Sequence, residues 1–158
     1  MADTPQQPNN QPVFAIEKIY VKDLSLEIPN APAIFLERDN PQIDLQMHCE
    51  ANPIGDNVYQ ASITVTVTAK LKEKNMFLVE ACQAGIFRIQ NVPQEEIKAV
   101  LGIGCPNILF PYLRETVSDV VTRAGFPPVM LNPVNFEALY HQQQQQAQEP
   151  KIEKPTTH

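Results

Sequence analysis

The sequence predicts an α+β domain, a four-stranded antiparallel sheet with helices packed on one face. Two observations carry that expectation. In residues 59–71, YQASITVTVTAKL, the apolar Ala61, Ile63, Val65, Val67 and Ala69 alternate with Ser62, Thr64, Thr66 and Thr68. A period of two with β-branched residues throughout describes a strand with one buried and one wet face. After residue 92 the spacing changes from extended to helical, and strands followed by helices is the chain order of a sheet covered on one side. At 158 residues the chain is long enough for one domain with a real core and too short for two.

Taken in order, residues 1–12, MADTPQQPNNQP, offer almost nothing to bury. Ordering them would cost backbone entropy without return, so they are expected to form a disordered tail. Residues 13–27 read as the first strand. The stretch PNAPAIFLERDNP then carries three prolines, too many for a ladder, and is too long for a hairpin loop. It is expected to be a crossover carrying Ile34, Phe35 and Leu36 over the structure. In 42–50, Ile43, Leu45, Met47 and Cys49 oppose Asp44, Gln46, His48 and Glu50, which makes a second strand. Residues 59–72 and 76–90, separated by a short polar break, read as a long antiparallel hairpin.

VPQEEIKAVLG predicts a short helix with acidic residues near its start, ending at Gly102. Leu113, Val117, Val120, Val121 and Ala124 mark one face of a longer amphipathic helix that AGFPP terminates. Pro106 suits a first helical position, whereas Pro111 is expected to kink the chain or restart the helix. A last short helix in NPVNFEALYHQ presents Phe136, Leu139 and Tyr140 as a stripe. The Gln-rich, proline-broken residues 142–158 are expected to be a second disordered tail, leaving 13–141 as the domain.

Charge and motif content exclude several function classes. The formal net charge is −6, without Lys/Arg clusters, which argues against a nucleic-acid or anionic-membrane surface and for a basic partner. The start of the chain has no basic, apolar leader pattern, and no stretch approaches the roughly 20 apolar residues of a membrane helix. Cys49, Cys82 and Cys105 are odd in number and widely spaced, as reduced thiols are, so a soluble cytoplasmic protein is expected. No phosphate-binding G-x-x-x-x-G-K-[ST] loop is present, and LGIGCP supports nucleotide binding poorly. His48 and Cys49 point to opposite faces of a strand and cannot share a metal. Cys105 at a helix start is the one imaginable nucleophile, but no base or orienting carboxylate accompanies it, and a buried, inert thiol is the better reading. No cofactor, metal or enzymatic activity is expected.

The carboxylates gain interest when placed by parity. Asp23 and Glu27 share a face with Ser25, and Leu78 and Glu80 share one opposite Phe77, Val79 and Ala81. If both are outer faces they form a flat acidic surface, although simple solvation of exposed carboxylates is the plainer account at this point.

KDLSLEIPNAP, NMFLVEACQAGIF, CPNILFPYLRE and PVNFEALY, in that order, give the chain a close resemblance over about 13–140 to the SecB family, the cytoplasmic protein-export chaperones of Gram-negative bacteria. The resemblance implies the same four-stranded sheet, assembled as a dimer of dimers. It also implies an ATP-independent holdase that keeps unfolded precursors translocation-competent and delivers them to the motor ATPase SecA. By position, motor-binding residues fall on Asp23, Glu27, Leu78 and Glu80, and residues influencing assembly fall on Val79, Ala81 and Gln83. Client-binding residues fall on Phe35, Ile43, Leu45, Met47, Tyr112, Phe136, Leu139 and Tyr140. The apolar residues of NILFPYLRE would then meet partner subunits and the groove wall rather than a core within the chain. Relatives often carry an aromatic where this chain has Asp39 and Asn40, and an acidic tail where this one, from Glu149 on, is near neutral. The rival reading is an acidic adaptor that recruits one specific protein through its sheet; indifference to unrelated unfolded chains would distinguish it.

Overall fold

Extended stretches rich in β-branched and other large apolar residues form strands wherever one face can be buried, and four such stretches pair here. In the computed structural model, which describes residues 9–148, they are β1 (Val13–Glu27), β2 (Gln42–Gly55), β3 (Val58–Leu71) and β4 (Lys74–Gln90). The four strands are antiparallel throughout, as predicted, and lie in the order β1-β4-β3-β2. Two tight hairpins join β2 to β3 and β3 to β4, with Asn57 (φ 58°) and Lys72 (φ 56°) in the left-handed conformation that such turns require. β2 runs beyond the expected residue 50, through Pro53. It is an edge strand, where a missing N–H costs no ladder bond.

β1 and β2 are opposite edges, so the chain between them must cross the whole sheet. It does so through a 3-10 turn, Ala33–Leu36, that buries Ile34 and leaves Leu36 in solvent.

The helical half departs from expectation at Gly102. Helix α1 (Gln94–Ala99) does not stop there; a π-helical stretch, Val100–Gly104, leads directly into α2 (Cys105–Arg123). A stop glycine adopts positive φ, which among these glycines only Gly125 does (φ 93°), just past α2. Gly102 serves close approach instead, since the Tyr140 ring occupies the space of a Cβ. Pro106 lies in the first turn of α2 and Pro111 inside it, exposed, with the helix continuing through. The last helix, α3 (Phe136–Gln148), runs seven residues past His141, so the glutamines up to Gln148, expected to begin a disordered tail, are helical. Residues 149–158, and 1–8 of the first tail, lie outside the described residues.

The core is a two-layer contact. Ile63, Val65 and Val67 of β3 and Phe77, Val79 and Ala81 of β4 face Leu109, Leu113, Val117 and Val121 of α2, all essentially removed from water. The i, i+4 spacing of the α2 set puts these four on one stripe.

Candidate functional site

Burial is unequal along the helix-covered face of the sheet. β3 and β4 are covered by α2, but β2 extends beyond it, leaving Ile43 and Leu45 exposed and Met47 half-buried. Facing them is the segment that follows Gly125, FPPVMLNPV, which has no regular secondary structure. Two cavities lie between. The larger, about 670 Å³, is bounded by Phe35 of the crossover, Ile43 and Leu45 of β2, and residues 125–130. The smaller, about 310 Å³, is bounded by Leu45, Met47, residues 131–134 and Leu139. Leu45 belongs to both, so they form consecutive parts of one apolar groove along β2. The floor is held by an aromatic stack from Phe35 through Phe126 to Phe77, each step 5.0 Å between ring centroids.

Five of the eight residues expected to contact clients thus converge on the groove: Phe35, Ile43, Leu45, Met47 and Leu139. Three do not line it. Phe136 is buried edge-on against Phe110 at 5.7 Å, Tyr140 is half-buried over Gly102, and Tyr112 projects into solvent from α2. The groove wall at 126–134 was missed by sequence reasoning. Its signal was an apolar run broken by three prolines, too greasy for an ordinary loop. Asp39 and Asn40 line the larger cavity, a polar rim on an otherwise apolar recess.

The expectation for NILFPYLRE divides. Leu109, Phe110 and Leu113 enter this chain's own core, contrary to expectation, because α2 lies directly on the sheet; Tyr112 and Pro111 face outward.

On the opposite face of the sheet, Asp23 pairs with Cys82, Ser25 with Glu80 and Glu27 with Leu78. Paired residues point the same way, so Asp23, Glu27, Leu78 and Glu80 form one cross-strand patch. The β1 bulge between Val21 and Asp23 does not disturb their parity, because both acidic residues follow it. Asp44 and Glu50 of β2 lie on the same face, opposite Thr68 and Ser62, and extend the acidic character; His48 contacts Glu50 at 3.0 Å. Among the described residues, Asp23, Glu27 and Glu80 have no salt-bridge partner.

Val79, Ala81 and Gln83, expected to influence assembly, are 0%, 0% and 4% exposed beneath α2, where Thr116 Oγ1 donates to Gln83 Oε1 at 3.3 Å. Their cross-strand neighbours Leu26, Leu24 and Val21 on β1 are open to solvent. With Phe14 and Ile16 they make an apolar row, 37–47% exposed, beside an unpaired strand edge.

Burial makes Cys105 and Cys49 poor nucleophiles. Cys105 is buried, desolvation pushes its thiol up to about 12, and, contrary to expectation, it stands at no free helix start, because the π-helical stretch continues into α2. Burial raises Cys49 as well. Among the described residues no cluster of His, Cys, Asp and Glu could hold a metal, and no helix is long and apolar enough to cross a membrane.

Comparison with known proteins shows the family and the fold. The family described as preprotein translocase subunit SecB matches residues 7–147. A protein-export protein SecB of Thiobacillus denitrificans is 68% identical over 139 residues, covering 88% of this chain and 91% of the relative. The one from Nitrosomonas eutropha is 67% identical over 143 residues, covering 89% of each. Among solved structures, a SecB-like chaperone of Mycobacterium tuberculosis, in complex with an antitoxin peptide, shares the fold. Its TM-score is 0.64 at 19% identity, covering 77% of this chain and 90% of that one.

Proposed function

The chain belongs to the SecB family of protein-export chaperones, and on that premise we propose that it is an ATP-independent cytoplasmic holdase that keeps unfolded precursors competent for translocation and delivers them to SecA. The observation that carries the reading is the open apolar groove along β2, which recessed apolar side chains and an exposed strand edge suit to extended, unfolded chain. Such a protein binds U and not N, so it competes with folding by mass action: slow folders are held and fast ones escape. Shallow contacts in several copies of the groove give useful avidity from low affinity per site. The peptide held by the M. tuberculosis protein is in keeping with this use of the fold.

The acidic sheet face is the docking surface for the motor in this reading, through Asp23, Glu27, Leu78 and Glu80. Unpaired carboxylates on a flat face suit a basic segment of that partner. Assembly as a dimer of dimers uses the β1 apolar row. Val79, Ala81 and Gln83, enclosed within the chain, would influence it through the seating of β1 and α2. Tyr112, outside the groove of a single chain, and the buried Phe136 and half-buried Tyr140 would serve clients by shaping the groove or after assembly.

The test is light scattering from two unrelated, slowly refolding proteins diluted from denaturant with increasing amounts of this protein and no nucleotide. Suppression of both signals is expected. Suppression of one alone would favour an adaptor, and suppression of neither would remove the holdase reading.

A further inference from the structure

Residues 127–134, PPVMLNPV, wall both parts of the groove yet belong to no helix or strand. Pro127, Pro128 and Pro133 have no N–H to donate. Among the described residues, the one hydrogen bond that ties this strap to the rest of the chain comes from Arg114, whose Nε donates to the Leu131 carbonyl at 2.9 Å. Leu131 is also where the larger cavity's wall, ending at Met130, gives way to the smaller one's. Its side chain is buried, whereas Met130 beside it is 67% exposed.

The donor is itself held. The Arg114 guanidinium lies over the Phe110 ring, Cζ 4.9 Å from the centroid, and Phe110 packs edge-on against Phe136. Among the described residues it has no carboxylate partner, so its charge is directed at a carbonyl and a ring face. A planar guanidinium fixed on an aromatic face is a directional donor that an ammonium does not reproduce.

We propose that Arg114 is a positioning residue for client holding: it pins the middle of the 127–134 strap to α2, and so sets the width of the groove and the rate at which a held chain leaves. The proposal rests on the holdase reading. Without the pin, the strap keeps only its side-chain burial, and eight residues of proline-rich chain can swing away from β2.

The test uses the full chain in two backgrounds. The sequence contains no Trp, so Met130→Trp places a single emitter on the strap. Adding Arg114→Met, which retains an aliphatic stem over Phe110 but removes the donor, is expected to raise acrylamide quenching of that emitter about twofold. In the native background, Arg114→Met is expected to speed release of a dye-labelled, reduced and carboxymethylated α-lactalbumin by about five- to tenfold, with helix content by circular dichroism unchanged. Arg114→Lys, keeping a donor but not the stacked plane, should fall between. Unchanged quenching overturns the proposal. Increased quenching with unchanged release, while the native chain still holds the client, overturns it and leaves the holdase reading intact. A native chain that holds no client removes both. Should Arg114→Met fail to fold, Arg114→Lys decides, and native release rates in that variant overturn the proposal.

Discussion

Cys105 shows how position in the fold overrides a local signal. The sequence places this thiol at a helix start, where it could be acidified, but the π-helical stretch runs straight into α2, so no free helix N-terminus faces it, and desolvation pushes it up to about 12 from 9.0. The linkage has a definite sign. In the unfolded chain the thiol ionises near 9 while the folded chain keeps its proton, so this contribution is complete below about pH 9 and is lost progressively as pH rises toward 12. Denaturant midpoints between pH 8 and 11 should therefore fall more steeply for the native chain than for Cys105→Ala; parallel slopes would show that the thiol titrates alike in both states. Parity, by contrast, was a reliable local signal. Alternation puts Asp23 with Glu27 and Leu78 with Glu80; the β1–β4 register joins the two pairs on one face, and the bulge that could have shifted them lies upstream of both acidic residues.

At the scale of elements, the strands are legible, β2 and β3 from a period of two and β1 and β4 from extended, apolar-rich composition, and the helices only in part. Gly102 looks in sequence like a helix stop, because a glycine needed for positive φ and one needed for close approach are the same letter. The distinguishing fact, Tyr140 arriving from 38 residues downstream, is tertiary. The strap at 127–134 is illegible for a related reason: with three prolines and no period, its place is set by tertiary contacts, the burial of Leu131 in the core and the Arg114 hydrogen bond. The Gly102 contact gives a prediction about α3. A methyl at residue 102 would sit 2.5 Å from Tyr140 Cδ2 and 2.7 Å from Cε2. Overpacking of that kind costs roughly 1–3 kcal/mol, and it is relieved most cheaply by moving the half-buried Tyr140 rather than the helical backbone. Gly102→Ala should undock the C-terminal part of α3 while Phe136 stays in the core. The expected result is faster amide hydrogen exchange at 139–148 with little change in the sheet; unchanged exchange there would mean that Tyr140 does not anchor the helix.

At the scale of the whole molecule, the two faces of the sheet make opposite demands on the solvent, and salt should separate them. One chain carries −6, so four copies would carry −24, and bringing them together works against like-charge repulsion. In the assembly proposed above, that repulsion would be opposed by the row Phe14, Ile16, Val21, Leu24 and Leu26 on the uncovered part of β1. Completing its burial is worth of order 1 kcal/mol per side chain. Salt screens the repulsion and leaves apolar burial intact, so assembly through β1 should hold or strengthen as salt rises. Docking of a basic partner on the acidic face is attraction between exposed opposite charges and should weaken over the same range. Sedimentation of the protein alone and titration with SecA, each between 50 mM and 500 mM salt, would read the two trends. Val21→Arg with Leu24→Arg should give smaller species at every salt concentration, since burying two cations on the row removes the apolar term, even though they lower the formal charge of a chain from −6 to −4. Assembly that falls apart as salt rises would instead mean that ion pairs join the copies, and the apolar row on β1 would need another explanation.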